Sequence, residues 1–206
     1  MTLAPYEADL ELLRKTFSFF PTGVAAIAAV IDGKPEGMVV STFTVGVSMD
    51  PPMVLFSVQN TSSTWPVIHK AKRLGISILG EGMGPAARQL SSRNKEARFD
   101  NLDIETSEAG AIFVHGSAIW LECTVRSENL AGDHHVILLN IESLHADADV
   151  NPLIYHGSGF RQLAELKADR PAAPAPAHLT APRTRTSTST STSTRTAPAI
   201  PPRSGN

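Results

Sequence analysis

The chain has 206 residues, a formal net charge of −2 at pH 7 and a single cysteine, Cys123. Residues 1–166 carry 19 Asp and Glu against 12 Lys and Arg, and this acidic balance argues against nucleic acid as a ligand. One cysteine excludes an intrachain disulfide and a cysteine metal cluster. The sequence shows neither a membrane-spanning apolar run nor a signal peptide, which predicts a cytoplasmic protein without membrane attachment.

Composition divides the chain into two parts. All eight Phe, both Trp and both Tyr lie between Tyr6 and Phe160, whereas residues 167–206 are mainly Pro, Ala, Ser, Thr and Arg. Residues 1–166 are therefore predicted to form one domain, since about 160 residues can bury roughly two-thirds of their unfolded surface. Residues 167–206 lack the apolar area needed to offset chain entropy, which predicts a disordered low-complexity tail.

The first half of the domain begins with a predicted amphipathic helix that ends before Pro21. Its apolar residues recur at helical spacing: Leu10, Leu13, Phe17 and Phe20. A strand is predicted over residues 24–31, and the pair Asp32-Gly33 predicts a hairpin turn into a second strand that ends near residue 40. A third strand is predicted over residues 53–58.

The second half continues with more strands than helices. Helices are predicted from Ser63 or Thr64 to about residue 72, over residues 83–92, and as a cap over residues 160–166. Strands are predicted over residues 74–79, 111–125 (long or broken), 135–144 and 152–155. Because few helices separate these strands, the pattern predicts an antiparallel barrel with helical decorations rather than a doubly wound parallel sheet.

Several chemical motifs are incomplete. The run Gly80-Glu81-Gly82-Met83-Gly84 fails the dinucleotide fingerprint, because Pro85 occupies the third glycine position. His115-Gly116-Ser117-Ala118 lacks the second glycine of a hydrolase elbow. No two of the seven histidines have helical ligand spacing, and the adjacent His134 and His135 point to opposite faces of a strand. We therefore predict no metal site.

Two polar segments remain as candidates. The hydroxyl-rich run Thr61-Ser62-Ser63-Thr64 stands at a predicted helix start, where free backbone N–H groups and the helix dipole favour a phosphate. Gly132-Asp133-His134 precedes an apolar strand and, taken alone, indicates a hairpin turn in which Asp133 caps the backbone. Arg93 and Arg98 are candidates for nucleotide phosphates, although exposed arginines on a polar stretch are usually only solvated.

Taken in order, several segments resemble the flavin reductase family, the short-chain NAD(P)H:flavin oxidoreductases of two-component monooxygenases. The matching segments are Phe20-Pro21-Thr22-Gly23-Val24, Gly37-Met38 with Phe43, Val47-Ser48-Met49-Asp50-Pro51-Pro52, Ser63-Thr64, Gly132-Asp133-His134 and Pro152-Leu153-Ile154-Tyr155. They cover roughly residues 10–166 and leave out the tail. The resemblance implies a mainly β fold, an FMN-binding split β-barrel with a few decorating helices, usually homodimeric, with flavin near the subunit interface.

The resemblance also implies a set of site residues. The isoalloxazine ring would be lined by Val39, Val40, Ser41, Thr42 and Phe43, of which Val39 and Val40 are equally expected in the barrel core. The flavin phosphate would be held by Asn60, Thr61, Ser62, Ser63 and Thr64. Charge on the reduced ring would be stabilised by backbone N–H groups near Ser48 and Asp50. The nicotinamide would be positioned by His134 and flanked by Tyr155 and Phe160.

This chain departs from the family pattern at two of those positions. The family often has Thr in the place of Val39 and Asn in the place of Ser41. One hydrogen-bonding group is thus missing and another is shortened, which bears on flavin affinity and on the preference between FMN and FAD.

The implied activity is reduction of FMN or FAD by NADH or NADPH, which supplies reduced flavin to a partner monooxygenase. The cofactors carry the hydride chemistry, while the protein supplies stacking, orientation and electrostatics. Two alternatives stay open: a flavin-binding module without turnover, such as a redox sensor, and a heme or pyridoxamine phosphate protein on the same barrel. Gly132-Asp133-His134 favours the reductase, because the family places this motif beside the nicotinamide.

Overall fold

The computed structural model describes Leu3 and residues 5–165, so the predicted tail lies outside the described residues. The helices of this part are α1 (Leu10–Ser18), α2 (Trp65–Ile68) and α3 (Gly84–Leu90), with a 3₁₀ turn over Glu81–Met83 before α3. The strands are β1 (Thr22–Gly23), β2 (Ala25–Ile31), β3 (Lys34–Val40), β4 (Thr44–Met49), β5 (Pro52–Gln59), β6 (Leu74–Leu79), β7 (Ile104–Thr106), β8 (Ile112–Val114), β9 (Ser117–Ala131), β10 (His134–Ala146), β11 (Ile154–His156) and β12 (Gly159–Arg161). None of the described helices is long and apolar enough to cross a membrane.

Seven strands form one antiparallel sheet in the order β3-β2-β6-β9-β10-β5-β4. The predicted turn at Asp32-Gly33 joins β2 to β3, and both residues have the positive φ that this hairpin type requires. The sheet closes near Thr42, whose hydroxyl donates to the Ser57 carbonyl (2.8 Å) and accepts from the Ser57 N–H (3.0 Å). A side chain thus joins the end of β3 to β5, and the predicted mainly β barrel is confirmed.

Strand β2 is apolar on both faces because both faces are covered. Ala25, Ile27 and Ala29 pack inside the barrel with Phe56, Ile76, Leu121 and Ile137, among others. The alternate residues Ala26 and Ala28 pack outside the sheet against a second cluster from α3 and β8. A continuous apolar run is therefore the expected sequence of this strand, in contrast to the alternation of a half-exposed strand.

Gly75 allows the short strand β8 to cross directly over β6. A Cβ atom built on Gly75 would overlap the backbone carbonyl of Ile112, which is itself buried. The close contact places Val114 where its backbone N–H donates to the Ser77 hydroxyl at 3.0 Å. Glycine here serves close backbone approach rather than an unusual backbone conformation.

Two predicted elements differ from the structure. The helical cap predicted over residues 160–166 is wrong where the structure describes it, up to residue 165: Phe160 lies in β12 and pairs with Tyr155 of β11. Helix α2 ends at Ile68, because the chain must turn within residues 69–73 to start β6 at Leu74, and both Ile68 and Leu74 are fully buried. Of the two forms predicted for residues 111–125, a long or a broken strand, the structure has the broken one, since the turn at Gly116, where φ is +81°, separates β8 from β9.

Strand β4 was absent from the sequence prediction. Its pairing with β5 is interrupted between Thr44 and Ser48, and Gly46 has a φ of +72°. A bulged edge strand loses the regular alternation by which strands are recognised in sequence. The three apolar side chains Val45, Val47 and Met49 remain exposed.

Candidate functional site

A cavity of about 320 Å³ opens where β3 ends beside the C-terminal end of β5. That volume lies at the lower end of the range for small-molecule sites. Seven of the predicted site residues line it, from three parts of the sequence: residues 39–42, 61–62 and 134. Its lining is Met38, Val39, Val40, Ser41, Thr42, Ser57, Val58, Gln59, Thr61, Ser62 and His134.

The loop after β5 forms the polar side of this cavity. It turns sharply, since the Ser62 N–H donates to the Gln59 carbonyl at 2.9 Å. The Ser62 hydroxyl accepts from the Trp65 N–H at 3.2 Å and so caps helix α2, whereas Thr64 makes no capping bond. Because α2 has only four residues, its dipole is small. The loop therefore offers an anion its hydroxyls and N–H groups rather than a long helix.

Two cations lie behind this loop. The Lys95 ammonium donates to the Ser63 carbonyl at 2.8 Å. The Arg98 Nη1 group donates to the Thr64 hydroxyl at 3.0 Å and to the Gly37 carbonyl at 2.7 Å. Burial lowers the pKa of Arg98 from its ordinary value, while the nearby charge of Glu36 opposes that shift. Arg98 is thus a buried structural arginine rather than an exposed one, in contrast to the sequence prediction.

His134 lies on the opposite wall, at the start of β10. Its Nδ1 atom is 2.7 Å from Asp133 Oδ1, and since a carboxylate only accepts, the ring N–H is on Nδ1. This hydrogen bond, together with the charge of His134, lowers the pKa of the Asp133 carboxyl from its ordinary value. In the neutral ring, Nε2 is therefore left as an acceptor for a ligand in the cavity.

The hairpin turn before His134 is hydrogen-bonded to the loop after β5. Gly132 has a φ of +66° in the turn between β9 and β10. Asn60 donates its backbone N–H to the Asp133 carbonyl at 3.0 Å and its side-chain Nδ2 to the Gly132 carbonyl at 3.1 Å. The side chain of Asn60 therefore holds the two loops together and is not among the residues that line the cavity.

A second cavity of about 260 Å³ shares the wall Val39-Val40-Ser41. Its other lining residues are Val24, Ser91, Tyr155 and Phe160. The rings of Tyr155 and Phe160 meet edge to face at 5.8 Å between centroids, and the Arg88 guanidinium lies 5.0 Å from the Phe160 ring. The structure thus places Tyr155 and Phe160 in a different cavity from His134, and the two cavities share the strand end Val39-Val40-Ser41.

Other predicted residues do not line either cavity. Phe43 packs against the barrel core, and Ser48 and Asp50 lie at the hairpin between β4 and β5. Ser63 and Thr64 face Lys95 and Arg98 through the contacts given above. The cavities include Met38, Ser57, Gln59 and Ser91, which sequence reasoning did not select. Ser57 and Gln59 share one face of β5 by alternation, and that period-2 signal was available in the sequence.

Comparison with known proteins identifies the family of this chain. The family described as flavin reductase like domain matches residues 17–164. The chain belongs to this flavin reductase family. The family predicted from the sequence is therefore confirmed.

Similar proteins have consistent names. An FMN reductase (NADH) from Agrobacterium fabrum is 33% identical over 148 residues, which are 71% of this chain and 82% of that protein. The reductase subunit of a flavin-dependent monooxygenase from Mycobacterium tuberculosis is 30% identical over 154 residues, 73% of this chain and 81% of that protein. The structure of a Streptomyces globisporus NADH:FAD oxidoreductase, solved with NAD and FAD fragments, is 28% identical with a TM-score of 0.73. It matches 79% of this chain and 98% of that one.

Proposed function

We propose that this flavin reductase uses NADH or NADPH to reduce FMN or FAD and supplies the reduced flavin to a partner monooxygenase. The observation that carries the proposal is the first cavity, in which the end of β3, the hydroxyl loop and His134 meet in a chain of this family. The activity and cofactor class expected from the sequence agree with the names of the relatives.

The residues of the first cavity suit a flavin. Met38, Val39 and Val40 offer an apolar wall against which a flat ring can pack. Thr61 and Ser62 offer hydroxyls where a phosphate would lie, with the Lys95 ammonium close behind at Ser63. The loop is thus polar enough for an anion, and the strand end is apolar enough for the ring.

When bound, the flavin accepts hydride from the reduced nicotinamide, and the chain provides orientation. Val39-Val40-Ser41 line both cavities, so ligands in the two cavities would approach the same strand end. His134 Nε2, oriented through Nδ1 by Asp133, is placed to accept a hydrogen bond from an amide. Such a contact would fix the reductant in position without taking part in the transfer.

We further propose that the protein acts as a homodimer. Helix α1 has nine residues and buries none of them: Leu10 and Phe17 are each more than 60% exposed, and so is Phe20, just beyond the end of the helix. A helix this short is marginal in water without packing, so its apolar face requires a partner surface. A second copy of the chain can supply this partner surface, because it carries the same exposed apolar residues.

Steady-state oxidation of NADH and NADPH, measured with FMN, FAD and riboflavin, tests the activity. We expect oxidation that depends on added flavin and saturates with it. Flavin binding without nicotinamide oxidation would indicate the non-turnover module instead. A purified protein that binds heme and no flavin would contradict the proposal.

The placement of the phosphate is tested by two neighbouring serines. Ser62→Ala changes a residue that lines the cavity, whereas Ser63→Ala changes one that does not. We expect the FMN dissociation constant to rise about tenfold or more for Ser62→Ala, since hydrogen bonds to charged groups are worth about 1.5–3 kcal/mol. Riboflavin, which has no phosphate, should bind nearly as before. Equal losses for both flavins would contradict this placement.

A further inference from the structure

Arg98 is the buried arginine at the back of the flavin cavity. It is only 8% exposed and donates three hydrogen bonds to protein. Its Nε bonds the Ser92 carbonyl at 2.8 Å, and its Nη1 bonds both the Gly37 carbonyl at 2.7 Å and the Thr64 hydroxyl at 3.0 Å. A buried guanidinium is costly unless it is satisfied in this way, so its partners must be held in place.

The partners of Arg98 belong to the two walls of the cavity. Gly37 immediately precedes the cavity-lining residues 38–42, and Thr64 follows the cavity-lining Thr61 and Ser62. The first segment lies at the end of β3, and the second is the loop between β5 and α2. The Arg98 guanidinium therefore sets the distance between the end of β3 and the loop after β5. Arg98 itself lines neither cavity.

The segment that carries Arg98 is itself rigidly held. The Gln89 side-chain Nε2 of α3 donates to the carbonyls of Ala97 (3.3 Å), Arg98 (3.2 Å) and Asp100 (2.7 Å). On the other side, the Phe99 ring packs against Gly37, where a Cβ atom would lie 2.8 Å from Phe99 Cζ. Arg98 is thus fixed from α3 and from β3 before any ligand binds.

We propose that Arg98 is a positioning residue of the flavin site, which holds the phosphate loop at the separation from β3 that a phosphate-bearing flavin requires. This inference rests on the proposed function and adds to it a residue that acts through Thr64 and Gly37. Lysine keeps the charge but has no Nε donor for the Ser92 carbonyl and no planar fork, so it cannot hold Ser92 together with Gly37 and Thr64 in the same geometry. The guanidinium geometry, rather than its charge alone, carries the role.

Arg98→Lys tests the proposal through the dissociation constants of FMN and riboflavin. We expect the FMN constant to rise about tenfold or more and the riboflavin constant less than about threefold, because the loop shifts while β3 stays paired with β2. The Michaelis constant for FMN should rise while kcat changes little. Arg73→Lys is the matched control, since Arg73 lies in an ion pair with Glu142 (3.4 Å), outside both cavities.

Thr64→Val and Thr64→Ser provide a second test, which can be carried out even if the Arg98→Lys protein does not fold. Thr64→Val removes the acceptor of Arg98 and should weaken FMN binding like Arg98→Lys, whereas Thr64→Ser keeps the hydroxyl and should restore it. The double variant should be no worse than the weaker-binding single variant. Additive losses, equal losses for FMN and riboflavin, or unchanged FMN binding would overturn the positioning role. Absence of flavin binding in the unsubstituted protein would instead overturn the proposed function.

Discussion

His134 and His135 are neighbours on β10, yet they lie on opposite sides of the sheet. His134 lines the first cavity, whereas His135 Nδ1 lies 3.7 Å from Glu128, which also accepts from the buried Trp65 indole at 3.2 Å. The alternation of side chains along a strand predicts this difference from the sequence. The two residues therefore form a natural pair of variant and control.

His134→Ala should raise the Michaelis constant for NADH or NADPH, or slow flavin reduction. It should leave the flavin dissociation constant within a few-fold, because the orienting hydrogen bond to the nicotinamide would be lost while the wall and loop remain. Stopped-flow reduction and flavin titration measure the two quantities. His135→Ala should leave both unchanged. Loss of flavin affinity with an intact nicotinamide step would contradict the assignment.

Cys123 is predicted to be chemically inert. It is fully buried in β9, and burial, with the charges of Glu142 and Glu122, raises the pKa of its thiol to about 12. Since the thiolate is the reactive form, a thiol reagent at pH 8 should label the native protein very slowly and the unfolded protein rapidly. The raised pKa also means that the free energy of unfolding falls once the pH exceeds the unfolded thiol's pKa. Fast stoichiometric labelling of native protein would contradict this prediction.

At the scale of elements, the crossing of β8 over β6 depends on the missing side chain of Gly75. Gly75→Ala should lower the free energy of unfolding by about 1–3 kcal/mol, because the added Cβ collides with the Ile112 backbone rather than with a flexible side chain. Denaturant unfolding measures the change. Gly82→Ala is the control, since a Cβ there meets nothing within 4 Å. An unchanged midpoint for Gly75→Ala would show that β8 can move away at little cost.

Hydrogen bonds between elements join the loop after β5 to the other segments around the site. Asn60 bonds the turn of the β9–β10 hairpin, Thr42 bonds β5, and Arg98 bonds both Gly37 and Thr64. Each contact joins segments that are distant in sequence. A variant at any of them therefore moves a neighbouring loop as well as its own.

For the whole molecule, the exposed face of α1 makes a prediction about assembly. Phe17→Glu should shift the protein from dimer toward monomer in sedimentation experiments, because a charge cannot be buried at an apolar interface without a partner. Lys15→Glu lies on the opposite face of the same helix and should leave the assembly unchanged. A protein that is monomeric at all concentrations would contradict the proposed homodimer.

Much of the architecture was determined by local sequence. The Asp32-Gly33 turn, the doubly buried strand β2, the break before Pro21 and the opposite faces of His134 and His135 follow from turn chemistry and periodicity. These features depend on residues within a few positions of one another. For the same reason, the motifs in their chain order sufficed to indicate the flavin reductase family.

Only the tertiary structure decided which side chains meet. The polar sequence around Arg98 indicates an exposed cation. In the structure Arg98 is buried and bonds the carbonyl of Gly37, which lies 61 residues away in sequence. Phe160 pairs with Tyr155 as a strand because β1 and β11 supply an edge for it, and this edge overrides a helical pattern. Ser62 faces the cavity and Ser63 does not, although both are hydroxyls of one loop. Contacts between distant segments set these outcomes, and local periodicity carries no information about them.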